Sequence, residues 1–435
     1  MAGFLDNVAI IGAGLGGCAL GLALSAQDIP FTIYESRPEI SGVIPSGVVL
    51  TPNGLRVLDR LGVFERIRSR CYISTHRNVK NDKDETIKCI ALGGPEVFGY
   101  WNHRIWRGLL LDEMRLMLKE RGIAIQYNSR FGGIVSDTIE GVEFRINDQT
   151  VQASLLVGSD GIHSTLRKHL APDVEPEYTG VMGVISHIKW DAVAWPSPDY
   201  ERNATIQGKP GALFWIAEDP QAEDIMIGFQ VQRPEQSRKD LEELQADKDK
   251  LVEFYRKGYE EHGATARSII DAVAANKETL YIWPFMRMPR IAQWYSDSGR
   301  MILVGDGAHA LPPSSGQGVN QALEDVYSLT LLLASACKRG EAGNPAATNR
   351  DGSAKSDLLD VLAFWQRTRQ DRIDAIFDWA TNTNNVERLP EADRQKLLAE
   401  GKVRPGQGDD TSWLFKYDYD KVVNEWLATR REMAS

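Results

Sequence analysis

The sequence is poor in cysteine and has no long apolar run. Of its 435 residues only 4 are cysteines, with no Cys-x-x-Cys pair and no histidine at zinc-ligand spacing. This pattern favours buried thiols in a reducing compartment over a disulfide framework or a metal site. No stretch approaches the ~18 uninterrupted apolar residues of a membrane span. The apolar run at Val8 meets glycines at once, which argues against a signal peptide. We therefore expect a cytoplasmic protein with no transmembrane segment and no metal.

Positive charge is also in short supply. The net charge of −10 argues against nucleic acid as a partner. A hydrophobic content of 43% and a charged content of 25% are ordinary for a globular protein. The length predicts two or three domains.

A glycine-rich turn lies between a predicted strand and a predicted helix near the start of the chain. Its glycines are Gly12, Gly14 and Gly17, and the strand that follows the helix ends at Glu35. In the dinucleotide-binding fingerprint, the second glycine lets the backbone approach a pyrophosphate and the third lets helix and strand pack closely. An acid ~20 residues further on accepts a hydrogen bond from a ribose hydroxyl. The motif leaves FAD and NAD both open, and the chain has no second copy of it.

A second strand–turn–helix unit occupies residues 299–329. Asp306 follows a short apolar run, Pro313 stiffens the next turn, and Gly316-Gln317-Gly318 precedes an amphipathic helix. A glycine turn at a helix N-terminus offers unpaired N–H groups and positive dipole charge, which favour an anion.

These two units, with Asp160-Gly161 after an apolar run, resemble three cofactor motifs of the single-component (group A) FAD-dependent monooxygenases. That family includes p-hydroxybenzoate hydroxylase and fungal salicylate-hydroxylase-like enzymes. The resemblance extends over nearly the whole chain and is weakest in the middle. The segment Trp365-Gln366-x-x-Arg369-x-x-Arg372 departs from the family's pattern at its first two positions, and we interpret it as structural.

The resemblance implies a set of FAD contacts. Asp306 would hold the ribityl chain, and residues 316–320 would face the pyrimidine side of the flavin ring. Arg107 opens a predicted helix, with Arg104 as the alternative, and residues 47–54 would lie along the flavin. The implied cofactor-binding residues are Gly12, Gly14, Gly17, Glu35, Gly47, Arg107, Asp160, Asp306, Gly316, Gly318, Val319 and Asn320.

Two residues are candidates for a catalytic role. Pro313 would lie near the reactive edge of the flavin ring, and His187 could act as an acid or base toward the substrate. A satisfied core or edge histidine remains the simpler interpretation of His187. Arg167 could contact the phosphate of a nicotinamide cofactor or be a plain surface arginine. We expect Arg56 to be a solvated helix residue.

The predicted fold is α/β. A Rossmann-like FAD-binding domain with a three-layer ββα architecture would take residues 1–175, with an inserted hairpin near 72–100, and residues 289–378. A mixed-sheet substrate domain would take residues 176–288, and a helical tail would take residues 379–435. We expect residues 124–153 to form an antiparallel meander, and residues 340–355 to form an exposed or disordered loop.

The implied reaction is the family's. NADPH or NADH would reduce FAD, and O2 would react to give a flavin C4a-hydroperoxide. One oxygen atom would then hydroxylate or epoxidise an aromatic or polycyclic small molecule, in secondary metabolism or aromatic catabolism. The protein would be a monomer or a homodimer. Substrate, choice of NADPH or NADH, and catalytic base stay open.

Two rival functions are weighed against this one. A non-oxygenating flavin enzyme of the same fold, such as a reductase, is the alternative. A halogenase is disfavoured because no Trp-x-Trp-x-Ile-Pro stretch is present. A non-catalytic dinucleotide-binding protein is disfavoured because Asp306 and the turn at residues 316–318 would serve no purpose in it.

Overall fold

The computed structural model describes residues 5–39, 46–341, 353–381, 389–401 and 410–434. The strands are β1 (Val8–Ile11), β2 (Phe31–Tyr34), β3 (Gly47–Leu50), β4 (Tyr72–Ser74), β5 (His76–Lys80), β6 (Thr86–Ala91), β7 (Gly93–Gly94), β8 (Tyr100–Trp106), β9 (Ile125–Gln126), β10 (Phe131–Thr138), β11 (Gly141–Ile146), β12 (Gln149–Ala153), β13 (Leu155–Gly158), β14 (Glu177–Lys189), β15 (Asn203–Gly208), β16 (Gly211–Ala217), β17 (Asp224–Gln232), β18 (Tyr281–Arg287) and β19 (Met301–Leu303). The helices are α1 (Leu15–Ser25), α2 (Pro52–Arg60), α3 (Val63–Ile67), α4 (Pro95–Phe98), α5 (Arg107–Glu120), α6 (Thr165–Leu170), α7 (Arg238–Ala246), α8 (Lys248–Arg256), α9 (Ala264–Ala275), α10 (Asp306–His309), α11 (Gly318–Glu341), α12 (Ser353–Trp379), α13 (Glu391–Ala399), α14 (Ser412–Phe415) and α15 (Tyr419–Ala434).

A five-stranded parallel sheet has the strand order β19-β13-β1-β2-β9. We call the part of the molecule built around this sheet the first half, and it includes strands from both ends of the chain. Its strands are apolar and fully buried at β1, β13 and β19, as expected for a parallel sheet covered on both faces. The carboxyl ends of parallel strands meet at one edge. The glycine turn after β1, Glu35 after β2 and Asp306 shortly after β19 are therefore neighbours.

The predicted three-layer architecture is confirmed. The antiparallel sheet β10-β11-β12 covers one face of the parallel sheet, where Phe144 meets Tyr34 edge to face with ring centroids 6.0 Å apart. Helix α1 packs against α11 and α5 as the helical layer.

One part of the predicted meander is wrong. Residues 125–126 form β9, which pairs in parallel with β2 instead of joining the antiparallel strands. A two-residue strand is too short to show alternation, and its position after α5 makes it the end of a crossover connection.

A seven-stranded mixed sheet forms the second half, in the order β18-β14-β17-β16-β15-β5-β6. The hairpin predicted near residues 72–100 forms as β5 and β6, and β5 pairs in parallel with β15. The inserted segment is thus part of the sheet built mainly by residues 177–287. Helices α8 and α9 cover one face of this sheet, where Tyr255 and Ile269 join a buried apolar cluster.

The strand register shows which side chains lie on the opposite face of this sheet. Thr205 pairs with Phe214, Phe214 with Gly228, and Gly228 with Ile185. Directly paired residues point to the same side of a sheet, so these four residues form one row across β15, β16, β17 and β14. This row faces the first half of the molecule, where Thr205, Phe214 and Ile185 line two cavities.

The C-terminal elements return to the first half of the molecule, where α12 and α15 both pack against α11. Of the loop predicted at residues 340–355, residues 342–352 lie outside the described ranges. None of the helices in those ranges is both long and apolar enough to cross a membrane.

Candidate functional site

In the first glycine-rich turn, Gly12 and Gly17 pack closely against neighbouring backbone, whereas Gly14 borders open space. Gly12 has a φ of +101°, and a Cβ atom there would lie 2.5 Å from the Ser159 carbonyl oxygen. A Cβ at Gly17 would overlap the carbonyl of Gly12. At Gly14, by contrast, a Cβ would meet no atom within 4 Å. The turn is therefore tight on its protein side and open on the side that faces a cavity.

Glu35 closes this turn from the neighbouring strand. Its Oε2 accepts a hydrogen bond of 2.9 Å from the Ala13 N–H, and its Oε1 accepts one of 2.9 Å from the Arg37 N–H. Arg115, which sequence reasoning missed, donates to the Ala13 carbonyl at 3.1 Å. Arg115 lies eight residues after Arg107 on α5, and that spacing on one helix face was the available signal.

Asp306 and Arg107 supply opposite charges to the same cavity. The Asp306 side chain faces open space at the start of α10, and its Oδ1 would lie 3.9 Å from a Cβ at Gly318. The side chain lies in a recess surrounded by protein, and the resulting loss of solvation raises the pKa of Asp306, an effect that His309 and Arg107 oppose. Burial lowers the pKa of Arg107, and the charge of Asp306 opposes this. The Arg107 guanidinium makes no hydrogen bond to any described residue.

The second glycine turn leads into α11. Gly316 has a φ of +63°, and a Cβ there would meet no atom within 4 Å. Asn320 fixes the turn: its Oδ1 accepts from the Thr51 N–H at 3.1 Å, and its Nδ2 donates to the carbonyls of Val49 at 3.0 Å and Gly316 at 2.8 Å. The Asn320 side chain thus holds the turn against β3, while Gly316, Gly318 and Val319 line the cavity.

A buried charge network lies beneath this turn. Arg369 donates from Nε to Asp325 at 2.7 Å and from Nη1 to Glu324 at 2.6 Å, and it also contacts Tyr419. Arg372 binds both oxygens of Glu324 at 2.7 Å. Burial alone would raise the pKa of Glu324, but Arg372 and Arg369 outweigh it and lower the pKa to about 2. This network agrees with the structural interpretation of the two arginines.

The turns surround two adjoining cavities, of about 330 Å³ and about 220 Å³. The first runs from Gly14 past Asp306 to Gly318. The second lies between the seven-stranded sheet, β8 and the C-terminal segment. Their shared wall includes Pro313, Gly316 and Gln317 on one side and Phe214 and Met226 on the other.

The fold comparisons agree with this geometry. A family model described as an FAD binding domain matches residues 6–347. The chain belongs to this family of FAD-dependent monooxygenases. The monooxygenase is 24% identical to FAD-dependent monooxygenase OpS4 of Beauveria bassiana, over 98% of each chain. It is 25% identical to 3-amino-4-hydroxybenzoate 2-monooxygenase PtmB3 of Streptomyces platensis, over 95% of this chain and 96% of that one.

Two solved structures share the fold of the monooxygenase. CtdE in complex with FAD and substrate 4 superposes with a TM-score of 0.76 at 18% identity, covering 99% of this chain and 100% of that one. Klebsiella pneumoniae HpxO in complex with FAD and uric acid superposes with a TM-score of 0.72 at 19% identity, covering 96% and 95%.

FAD, the cofactor of the family, fits the first cavity of the monooxygenase. The open space at Gly14 lies at the N-terminus of α1, where a pyrophosphate would meet N–H groups and positive dipole charge. Gln230 lines this cavity, is buried, and has no hydrogen-bond partner for either amide atom in the described chain. An unpaired buried amide costs about 1–3 kcal/mol, which a polar ligand in this cavity could offset.

Two further predicted cofactor residues have structural contacts. Asp160 accepts the Thr165 N–H at 2.7 Å through Oδ2 and so binds the first turn of α6, whose N-cap is Ser164. Gly47 lines the first cavity, but a Cβ there would also overlap the carboxylate of Glu218. Glu218 binds Arg104 through two hydrogen bonds, of 2.9 Å and 2.5 Å. This pairing occupies Arg104, so the geometry favours Arg107 over Arg104 as the cavity's cation.

His187 lies behind the cavity wall. It is not among the residues that line either cavity, and its ring packs against Trp106 and Tyr281 with centroids 5.1 Å and 5.8 Å away. Burial, with Arg104 nearby, lowers its pKa to about 4. The structure thus places a neutral histidine one layer away from where a substrate would lie, and its proposed role as an acid or base has no direct geometric support.

Two arginines differ from their predicted surroundings. Arg167 is fully buried and donates to the carbonyls of Ile162 at 2.6 Å and Val174 at 3.3 Å, so it is neither a surface arginine nor open to a phosphate. Arg56 is half-buried and bound to carbonyls of the C-terminal segment. Both were mispredicted because backbone carbonyls leave no trace in sequence.

Proposed function

We propose that this monooxygenase uses NADPH or NADH and O2 to hydroxylate or epoxidise a flat aromatic or polycyclic small molecule bound in the second cavity. The observation that carries this proposal is the wall shared by the two cavities. A substrate in the second cavity would lie directly across residues 313–317 from the flavin ring. Bound FAD would accept two electrons from the nicotinamide cofactor and activate oxygen.

The chain's own residues would orient the cofactor and favour its reduced form. Asp306 and the open backbone at Gly14 would hold the ribityl chain and the pyrophosphate. The N-terminus of α11, at Gly318, would place positive dipole charge beside the ring, and this favours the negative charge that reduction brings.

The second cavity would hold the substrate and exclude water. Phe214, Ile216 and Met226 form an apolar surface on the seven-stranded sheet, and Ile90 and Leu92 extend it. A largely apolar cleft with a few polar groups is typical of small-molecule sites. Exclusion of water suppresses unproductive side reactions of activated oxygen.

Relatives support the substrate class. PtmB3 is named for a substituted hydroxybenzoate, and one structure of HpxO contains uric acid. Both molecules are flat rings that bear polar groups. The second cavity combines an apolar surface with two polar atoms that lack a hydrogen-bond partner in the described chain, Asn102 Oδ1 and Thr205 Oγ1, on lining residues.

The test is oxygen uptake by the FAD-loaded enzyme with NADPH or NADH and a panel of phenols, indoles and polycyclic olefins. We expect at least one compound to stimulate uptake and to appear as a product that carries one added oxygen atom. A flavin enzyme that oxidises NAD(P)H without any oxygenated product would overturn the proposal and favour a non-oxygenating enzyme of the same fold.

A further inference from the structure

Part of the wall of the second cavity is built by residues outside the family model. Trp379, Thr411 and Phe415 line this cavity, whereas the FAD binding domain ends at residue 347. We call these three residues the tail wall. Together with the apolar surface of the seven-stranded sheet they enclose the cavity, so they limit the space that a bound molecule can occupy.

The Phe415 ring is held in place within the tail wall by its neighbours. Its side chain is buried, and the ring meets Phe98 edge to face with centroids 5.4 Å apart. A ring packed in this way resists displacement by a ligand. A ligand that needs more space must therefore move a packed aromatic side chain.

Two arginines hold the backbone of the tail wall. Arg372 donates to the carbonyls of Trp413 at 3.1 Å and Leu414 at 2.8 Å. Arg56 donates to the carbonyls of Phe415 at 3.1 Å and Tyr417 at 2.9 Å. Helix α14 is one turn long, and the carbonyls at a helix C-terminus lack partners within the helix. The two guanidinium groups supply those partners.

One of these arginines, Arg372, also connects this segment to the turn at residues 313–317. Arg372 binds Glu324, Glu324 accepts from Asn53 Nδ2 at 2.6 Å, and Asn53 Nδ2 also lies 3.2 Å from Gln317 Oε1. Gln317 lines both cavities. A continuous chain of buried polar contacts thus fixes the distance between the tail wall and this turn.

We propose that the tail wall selects substrates by length, with Phe415 as the specificity-determining residue and Arg56 and Arg372 as positioning residues. This inference rests on the proposed function, because it takes the second cavity as the substrate site. The ligands selected would be fused-ring aromatics that span from the shared wall to the Phe415 ring. The C-terminal segment, and not the FAD binding domain, would then decide how many rings are accepted.

The experiment uses three hydroxyarenes of increasing length: phenol, 2-naphthol and 2-hydroxyanthracene. Each is titrated into the FAD-loaded full chain, and the dissociation constant is read from the change in flavin absorbance, which needs no turnover. Phe415→Ala should improve the affinity for 2-hydroxyanthracene relative to phenol by about tenfold, since one more ring can be buried. Phe415→Leu, a milder change that keeps the core apolar, should shift the ratio in the same direction by a smaller factor.

Two arginines on helix α2, Arg56 and Arg60, provide a test variant and a control for the role of Arg56 in holding the tail wall. Arg56→Met keeps the length of the side chain but removes the donors to the carbonyls of residues 415 and 417. The ratio between the dissociation constants of the least and the most tightly bound probe should therefore shrink at least threefold. Arg60, also on α2, forms an ion pair with Asp420 at 2.9 Å and donates to no carbonyl of residues 415–417 among the described contacts. Arg60→Met should leave the preference unchanged.

Two results would overturn the inference: an unchanged ratio in both Phe415 variants, or an equal effect of Arg56→Met and Arg60→Met. The proposed function fails separately. Probes that bind with the expected dependence on length, but yield no oxygenated product, would support the tail wall and reject the oxygenation. Oxygenated product together with an unchanged length preference in the variants would support the proposed function and reject the selection of length by the tail wall.

Discussion

The two cavities differ in what lines them. Seven glycines line the first, among them Gly14, Gly316 and Gly318, with the charges of Asp306 and Arg107 added. The second is lined by side chains from the seven-stranded sheet, from β8 and from the C-terminal segment. A cofactor common to a whole family can be bound by backbone geometry, whereas a substrate particular to one enzyme requires side chains. Variants should therefore affect the two cavities in separable ways.

The largest effect should come from the buried network that supports both cavities. Arg369→Met would leave Asp325 and Glu324 buried without one of their cations, and we expect the free energy of unfolding to fall by about 3–5 kcal/mol. Urea denaturation measures this. Arg367, two residues away and exposed, provides the control, because Arg367→Met should change stability by less than about 0.5 kcal/mol. Similar losses in the two variants would mean that the network does not stabilise the fold.

Gly14→Val should damage the first cavity alone. The new side chain would occupy the open space at the N-terminus of α1, so we expect FAD affinity to fall by at least about 100-fold, or about 2.7 kcal/mol. The melting temperature of the apoprotein should stay within a few degrees of the original. Gly17→Val, which would collide with the Gly12 carbonyl, should instead prevent folding. Full flavin content in Gly14→Val would show that no pyrophosphate lies there.

Asp306→Asn should separate cofactor binding from stability. Loss of the carboxylate should weaken FAD binding about tenfold, as expected for a hydrogen bond to a charged group. Because burial raises the pKa of Asp306, its ionised form is destabilising in the apoprotein. The variant should therefore melt at the same or a higher temperature at pH 7 without FAD. A lower melting temperature with unchanged FAD affinity would make Asp306 a structural residue.

Acid should destabilise the second half of the molecule through His187. Its pKa is lowered to about 4, so between about pH 6.5 and pH 4 the unfolded chain binds a proton that the folded chain does not. The contribution of His187 to the free energy of unfolding should be fully present above about pH 6.5. It should fall by about 1–2 kcal/mol between pH 7 and pH 5. His187→Gln should remove that part of the loss in urea denaturation at the two pH values. An identical pH dependence in the variant would contradict the buried neutral state.

The smallest effect should be a gain in stability at Thr205. Its buried hydroxyl has no partner in the described chain, so Thr205→Val should raise the free energy of unfolding by up to about 1 kcal/mol. The affinity for 2-naphthol should fall about fivefold if the hydroxyl meets the ligand. Thr330, whose hydroxyl donates to the Val326 carbonyl at 2.8 Å, is the matched control. Thr330→Val should lose stability and leave 2-naphthol binding unchanged.

The cofactor half could be predicted from sequence because its determinants are local. Gly14, Asp306 and Gly316 each lie within a few residues of a strand end, in an order that a strand–turn–helix unit requires. The parallel sheet follows from the same units. FAD as cofactor and the three-layer fold are accordingly confirmed.

The second cavity could not be predicted, because its determinants meet only in the folded chain. Asn102, Thr205 and Phe415 are each separated by more than ~100 residues, and each alone is an ordinary residue of a strand or a short helix. The placement of the β5–β6 hairpin beside β15 depends on a parallel pairing that leaves no local pattern. His187 could be recognised as titratable, but only the packing of Trp106 and Tyr281 shows that it lies behind the wall.

The most direct test of the two-cavity account is an absorbance titration of the FAD-loaded protein with 2-naphthol. The account predicts a saturable one-to-one change in the flavin bands, because the ligand would lie across residues 313–317 from the ring. A protein that takes up no FAD would contradict the account at the first cavity. Binding of 2-naphthol by equilibrium dialysis with unchanged flavin bands would contradict it at the second.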